Sequence, residues 1–137
     1  MKEGFILIKS LKLASNQHAI LSAEHLIDLI CGEYSINEDV YGNVLISVTE
    51  AVNNAVFHGN LNDSSLFLDL SVYLSDSEVC FVVSDQGTGF NYDELPDPTS
   101  PDNLLKENGR GVFLMRSLCD ELAFENAGSI VLLYFNR

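Results

Sequence analysis

Val79-Cys80-Phe81-Val82-Val83-Ser84-Asp85-Gln86-Gly87-Thr88-Gly89-Phe90 runs from an almost unbroken apolar stretch into an acid and two spaced glycines. Such a stretch reads as a strand buried on both faces, and the residues after it as a tight exit from the sheet. Thirty-five residues before Asp85 stands Glu50, in Glu50-Ala51-Val52-Asn53-Asn54-Ala55-Val56-Phe57-His58-Gly59-Asn60, which has helical character. Twenty residues after Gly89 comes Gly109-Arg110-Gly111, opening another helical segment. The order is an acid and an amide on a helix, a strand ending in Asp-x-Gly-x-Gly, then a glycine pair before a helix. This is what an adenine nucleotide site requires, and it points to ATP with a divalent metal.

The rest of the chain supplies elements around these motifs. Phe5 to Leu13 reads as a first strand, with Phe5, Leu7, Lys9, Leu11 and Leu13 on one parity. Ser15 or Asn16 can cap a first helix reaching about Cys31, with Gly32 as its stop. Asn37, followed by Glu38 and Asp39, caps a long second helix ending near His58-Gly59. Leu66, Leu68, Leu70, Val72 and Leu74 alternate with polar or aromatic residues, which is a strand; Ser75-Asp76-Ser77 then turns the chain into Glu78–Ser84. Asn91 to Asn108 holds all three prolines and reads as a long loop, a length that is usually functional. Val112 to Cys119 is a short third helix, and Glu121–Asn126 with Ile130–Phe135 a final hairpin around Ala127-Gly128-Ser129. The sum is one domain over residues 1–137, an α/β (α+β) two-layer sandwich with helices on one face of the sheet.

Composition narrows the partners. The 137 residues are enough for one ordinary core, and 47% hydrophobic content fits a folded soluble protein. No apolar run approaches the roughly 20 residues of a membrane span. The first residues, Met-Lys-Glu-Gly, do not read as a secretory signal. Cys31, Cys80 and Cys119 are widely spaced in apolar stretches, which reads as reduced thiols in a cytoplasmic protein. The net charge is −13, and no Lys or Arg occurs from Leu13 to Leu105, which argues against nucleic acid or an anionic membrane as partner. Lys106, Arg110 and Arg116 gather around the second glycine pair, as an anion site would require, although surface cations also cluster by chance.

Each motif has a functional and a structural reading. Asn43, Ser47, Glu50 and Asn54 fall on one face of the second helix, and spacing alone does not separate that stripe from a solvated face. Read functionally, the carboxylate acts on a nucleophile while the amide oxygen one turn away binds a divalent metal. Asp85 can accept a hydrogen bond from an exocyclic amino group such as adenine's, with Gly87 and Gly89 letting the backbone approach closely; a hairpin turn would use the same residues. Gly109 and Gly111 at a helix start, with Arg110 between them, can hold a phosphate or simply begin a helix after a loop. His58, at the end of the second helix, reads as structural.

Taken together, Ser47–Asn60, Asp85–Phe90 and Gly109–Glu121 resemble the N, G1 and G2 boxes of the GHKL ATPase superfamily. The closest likeness is to its small anti-sigma factor, serine-protein kinase branch, and it covers Phe5 to Phe135. The resemblance implies a Bergerat-type ATP-binding fold, with a mixed sheet of about five strands under three helices. It implies ATP and Mg²⁺ as cofactors, with Asn54 on the metal, Asp85 on adenine, and Gly87 and Gly89 shaping the pocket. Residues 91–108 become an ATP lid, Gly109, Arg110 and Gly111 contact phosphates, and Ser129 adds a hydroxyl near adenine. Glu50 becomes the general base that takes a proton from a serine or threonine hydroxyl. In that branch the substrate is a STAS-type anti-anti-sigma protein, the released kinase holds a sigma factor, and homodimers are common. The sigma-binding members carry an arginine in the first helix; this chain has none there, the nearest position being about Ser22. An ATP-gated binding switch without phosphotransfer and a weak ATPase are the alternative activities.

Overall fold

Local sequence sets the boundaries of most elements. The computed structural model describes residues 1–87 and 107–137, with side chains of the second segment described from residue 111 on. The elements are β1 (Ile6–Ala14), α1 (His18–Glu33), α2 (Glu38–Asn54), a π-helical turn (Ala55–Gly59), β2 (Phe67–Leu74), β3 (Glu78–Ser84), α3 (Glu107–Leu118), β4 (Glu121–Glu125), a 3₁₀ turn (Asn126–Gly128) and β5 (Ile130–Asn136). Asn37 caps α2 as its sequence predicts: its Oδ1 accepts the N–H of Asp39 at 2.9 Å, with Glu38 and Asp39 at the positive end of the helix dipole.

The cap of α1 works differently. The helix begins at His18, yet Asn16 still supplies the acceptor, its Oδ1 taking the N–H of His18 at 2.9 Å. Gly32 lies inside the helix rather than at its stop. The chain leaves at Tyr34, whose N–H bonds the Ile30 carbonyl, and Ser35 takes the left-handed conformation with φ 54°.

The five strands form one sheet in the order β1-β2-β3-β5-β4, and every neighbouring pair is antiparallel. This corrects the mixed sheet expected from the sequence. β3 and β4 do run in the same direction, joined through α3, but β5 inserts between them and pairs antiparallel with both. The parallel neighbours therefore never meet.

Alternation along β2 is as expected, with Leu68, Leu70 and Val72 fully buried toward the helices. In β1 it slips. The register with β2 shifts between Leu7 and Lys9, so Ile8, Leu11 and Leu13 pack on the core while Leu7 stays half exposed. A bulge adds one residue and reverses the parity on one side of it, which a strict period of two cannot anticipate.

The main core lies between the sheet and the helices. Phe81, Phe135, Leu70 and Leu133 from the sheet meet Ile27, Ile30, Val48 and Val52 from α1 and α2. A smaller apolar cluster of Cys80, Leu132 and Tyr134 lies on the other sheet face. There Phe5 packs edge-on against Tyr134, and Lys2 sits over the Tyr134 ring while pairing with Glu78 and Glu121. Among the described residues no helix is long and apolar enough to cross a membrane.

Candidate functional site

The polar stripe of α2 is not a solvated face. Ser47 is fully buried, its hydroxyl donating to the Asn43 carbonyl one turn back, while Asn43 itself is exposed. Glu50 and Asn54 are partly buried because α3 lies across them. A methyl group placed on Gly111 would come within 2.9 Å of Asn54 Nδ2 and 3.2 Å of Glu50 Oε2. Glycine is thus needed there for close helix approach, and the acid–amide pair faces the α3 backbone.

That observation revises the second glycine pair. Gly109 and Gly111 lie inside α3, which begins five residues before the Val112 start expected from sequence. Two glycines lower helix propensity by about 1 kcal/mol each, which is why periodicity alone placed the start after them. The amide of Gly109 still falls in the first turn, where N–H groups have no intrahelical partner. The side chain of Arg110, Gly89, and the expected lid from 91 to 106 lie outside the described residues; residues 107 and 108 are helical.

After Asn54 the helix widens into a single π turn through His58 and Gly59, a local geometry often found at functional sites. It brings Gly59 against the exit of β3. A methyl on Gly59 would fall 2.3 Å from Asp85 Oδ2, and one on Gly87 would fall 2.2 Å from the Gly59 carbonyl oxygen. Only glycines permit this crossing. Asp85 is held by its own N–H donating to the Ser129 carbonyl at 3.0 Å and by the Gly87 N–H donating to Oδ1 at 2.8 Å. Ser129 therefore reaches Asp85 through its backbone. Its hydroxyl is occupied within the β4–β5 turn, donating to the Asn126 carbonyl and accepting from Asn126 Nδ2.

Between these parts lies a cavity of about 210 Å³. Asn54 and Asp85 line it from two sides, His58 and Gly59 from the π turn, and Val83, Met115, Phe124 and Val131 give it apolar walls. A cleft with apolar walls and a few polar groups is the usual form of a small-molecule site. Sequence reading did not pick out those walls. The one available signal was the pair of small residues Ala51 and Ala55, four apart and beside Glu50 and Asn54, which leaves one side of α2 open.

Two features bear on chemistry. Burial pushes the Asp85 carboxyl above its ordinary range, partly offset by the Gly87 N–H bond. A raised folded-state value stabilises the protein below the unfolded carboxylate pKa, and that contribution is lost as pH rises through the folded value. Asp85→Asn should therefore gain stability relative to wild type between about pH 3 and about pH 7. Urea unfolding of both proteins at the two pH values checks this, and a difference that stays constant or shrinks as pH rises would contradict it.

The second feature is Asn54 Oδ1, which is buried and has no hydrogen-bond partner among the described residues. An orphaned amide oxygen costs stability unless something fills it, and it is a hard donor suited to Mg²⁺. Among the described residues no cluster of three or more His, Cys, Asp or Glu could hold a metal. The chemistry of the Asn54 amide oxygen is compatible with a divalent cation such as Mg²⁺. Cys119 is half-buried, with its thiol pushed up to about 11 by burial, and is not part of the cavity.

Comparison with known proteins identifies the family of the domain. The family described as "Histidine kinase-like ATPase domain" matches residues 14–135. A serine-protein kinase RsbW of Staphylococcus epidermidis is 37% identical over 84 residues, 56% of this chain and 53% of that protein. An anti-sigma F factor of Geobacillus thermodenitrificans is 38% identical over 93 residues, 63% of this chain and 62% of the relative. The chain thus spans between half and two thirds of the length of these curated relatives. Among solved structures, the RsbU and RsbW domains of Rv1364c from Mycobacterium tuberculosis superpose with a TM-score of 0.63. That match covers 95% of this chain and 32% of the other at 16% identity, a likeness of fold.

Proposed function

The chain belongs to the histidine kinase-like ATPase domain family, and on that premise we propose that it is a single ATP-binding domain acting as a serine/threonine-protein kinase. Its substrate is a STAS-type anti-anti-sigma protein in a partner-switching pathway. The observation that carries this reading is the placement of Glu50 and Asn54 one turn apart on α2, both against Gly111, with Asp85 across the same cavity from Asn54. The relatives named serine-protein kinase and anti-sigma factor support the same activity.

The cavity's parts have separate tasks. Asp85 accepts the amino group of adenine, and Val83, Met115, Phe124 and Val131 enclose the base. Asn54 Oδ1 would hold Mg²⁺, which would supply positive charge to offset that of the phosphates. At the start of α3, Gly109 would offer its amide and Arg110 its charge to the phosphates, while Gly111 lets α3 approach α2 closely. Gly87 shapes the base pocket through its contact with Gly59, and the Ser129 carbonyl supports Asp85. Glu50 takes the proton from the substrate hydroxyl as its oxygen bonds to the γ-phosphorus, the bridging P–O bond breaks, and ADP departs.

Three free cysteines suit a reducing, cytoplasmic setting. A sigma factor and a second copy of the chain are further partners on the same reading. An ATP-gated binding switch is the second reading, because a retained base permits transfer without requiring it.

The test is incubation with γ-labelled ATP, Mg²⁺ and each STAS-type protein of the same organism. Label on one STAS protein is expected. No label on any of them, with ATP binding demonstrated separately, would replace the kinase with the binding switch.

A further inference from the structure

Asn60 is almost entirely buried, at 1% exposure, just past the π turn. Buried polar side chains are retained where their bonds fix something. Its Nδ2 donates to the Phe67 carbonyl at 3.0 Å, and its Oδ1 accepts the Gln86 N–H at 2.8 Å. Gln86 Oε1 in turn accepts the Phe67 N–H at 2.7 Å. The β2–β3 ladder ends at Asp69 and Ser84, so these three bonds take over where strand pairing stops.

The consequence falls on Asp85. The residues on either side of it are Ser84, the last of β3, and Gln86, whose N–H is held by Asn60. The next amide, that of Gly87, fixes the carboxylate through Oδ1 at 2.8 Å. The chain of dependence is Asn60 Oδ1, Gln86 N–H, Gly87 N–H, Asp85 Oδ1. Asn60 is not among the cavity-lining residues.

Resting on the adenine assignment of Asp85 above, we infer that Asn60 is a positioning residue for base specificity: its amide oxygen holds the Asp85-Gln86-Gly87 turn so that the carboxylate meets a base amino group. A carboxylate so placed favours adenine, whose exocyclic group donates, over guanine, whose O6 accepts. If the turn relaxes, that discrimination goes first, while phosphate and metal contacts on α2 and α3 persist.

The experiment is calorimetric titration of the wild-type chain, Asn60→Ala, Asn60→Asp and Gln86→Ala with ATP and with GTP in Mg²⁺, alongside thermal unfolding. Asn60→Ala should lower the ATP-over-GTP affinity ratio by roughly tenfold, the effect of losing one well-placed hydrogen bond. Asn60→Asp keeps an acceptor for the Gln86 N–H and should keep the ratio, although it loses the donor to Phe67 and melts earlier. Gln86→Ala should also melt earlier with the ratio intact. An Asn60→Ala ratio equal to wild type, or an Asn60→Asp ratio that falls tenfold, would overturn the inference and leave Asn60 a purely structural residue. If Asn60→Ala does not fold, the Asn60→Asp ratio decides. A wild-type chain that binds ATP without preference over GTP overturns the inference alone, whereas one that binds no ATP removes the proposed function as well.

Discussion

Glu50→Gln will slow phosphotransfer to the partner hydroxyl by about 10²- to 10⁴-fold, the usual contribution of a general base, and leave ATP affinity unchanged. Gln has nearly the shape of Glu and keeps an oxygen and a nitrogen where two oxygens stood. The packing of α2 against Gly111 is therefore preserved, since Glu50 Oε2 lies 3.2 Å from where a methyl on Gly111 would be. What is lost is the ability to take a proton. The nucleotide contacts proposed above fall to other residues, Asp85 and Asn54 on the cavity wall, so binding and transfer are expected to separate. Single-turnover transfer of label, with ATP affinity from calorimetry, measures both. Transfer at the wild-type rate would remove Glu50 as the base, whereas loss of ATP affinity would make it a binding residue.

Gly87→Ala will destabilise the fold by about 1–3 kcal/mol, the range for forcing an extra carbon into a packed site, and will weaken ATP binding with it. The new carbon would sit 2.2 Å from the Gly59 carbonyl oxygen and 2.7 Å from its carbon. Both are backbone atoms at the end of the π turn, so no side-chain rotation relieves the clash. Either the π turn or the Asp85 turn must move, and both line the cavity. Gly32→Ala is the matched control. It lies inside α1 with nothing among the described residues within 4 Å of the added carbon, and should stabilise by about 0.5–1 kcal/mol through helix propensity. Urea midpoints at constant m-value separate the two effects. Equal midpoints for Gly87→Ala and wild type would mean that the two backbone segments are not in contact.

The contrast between these glycines shows how the site was legible and where it was not. In sequence, Gly32 looked like a helix stop and Gly111 like a residue before a helix. The reasons they differ lie outside their own segments: nothing approaches Gly32, whereas Asn54 and Glu50 press on Gly111. Asn54 and Glu50 were recognisable as an acid–amide pair one turn apart, yet the helical wheel left their stripe open to a solvated reading. Burial of Ser47 and the crossing of α3 resolved it. Asn60 closed the Ser47–Asn60 segment but had no role legible in sequence, because its partners Phe67 and Gln86 are brought to it by β2 and β3 rather than by its own helix.

The sequence by itself determined what local physics determines: the Asn37 cap of α2, the alternation of β2, the buried β3 ending just before Asp85, and the order of acid, amide and glycines along the chain. Periodicity, capping and propensity act over a few residues and can be read there. Only the tertiary structure decided that β5 separates β3 from β4, that a bulge turns Ile8 inward, that α3 begins before its glycines, and that the π turn meets the Asp85 turn glycine to glycine. Those outcomes depend on which distant backbones can approach closely enough to bury a common core, and no short-range pattern records such distances.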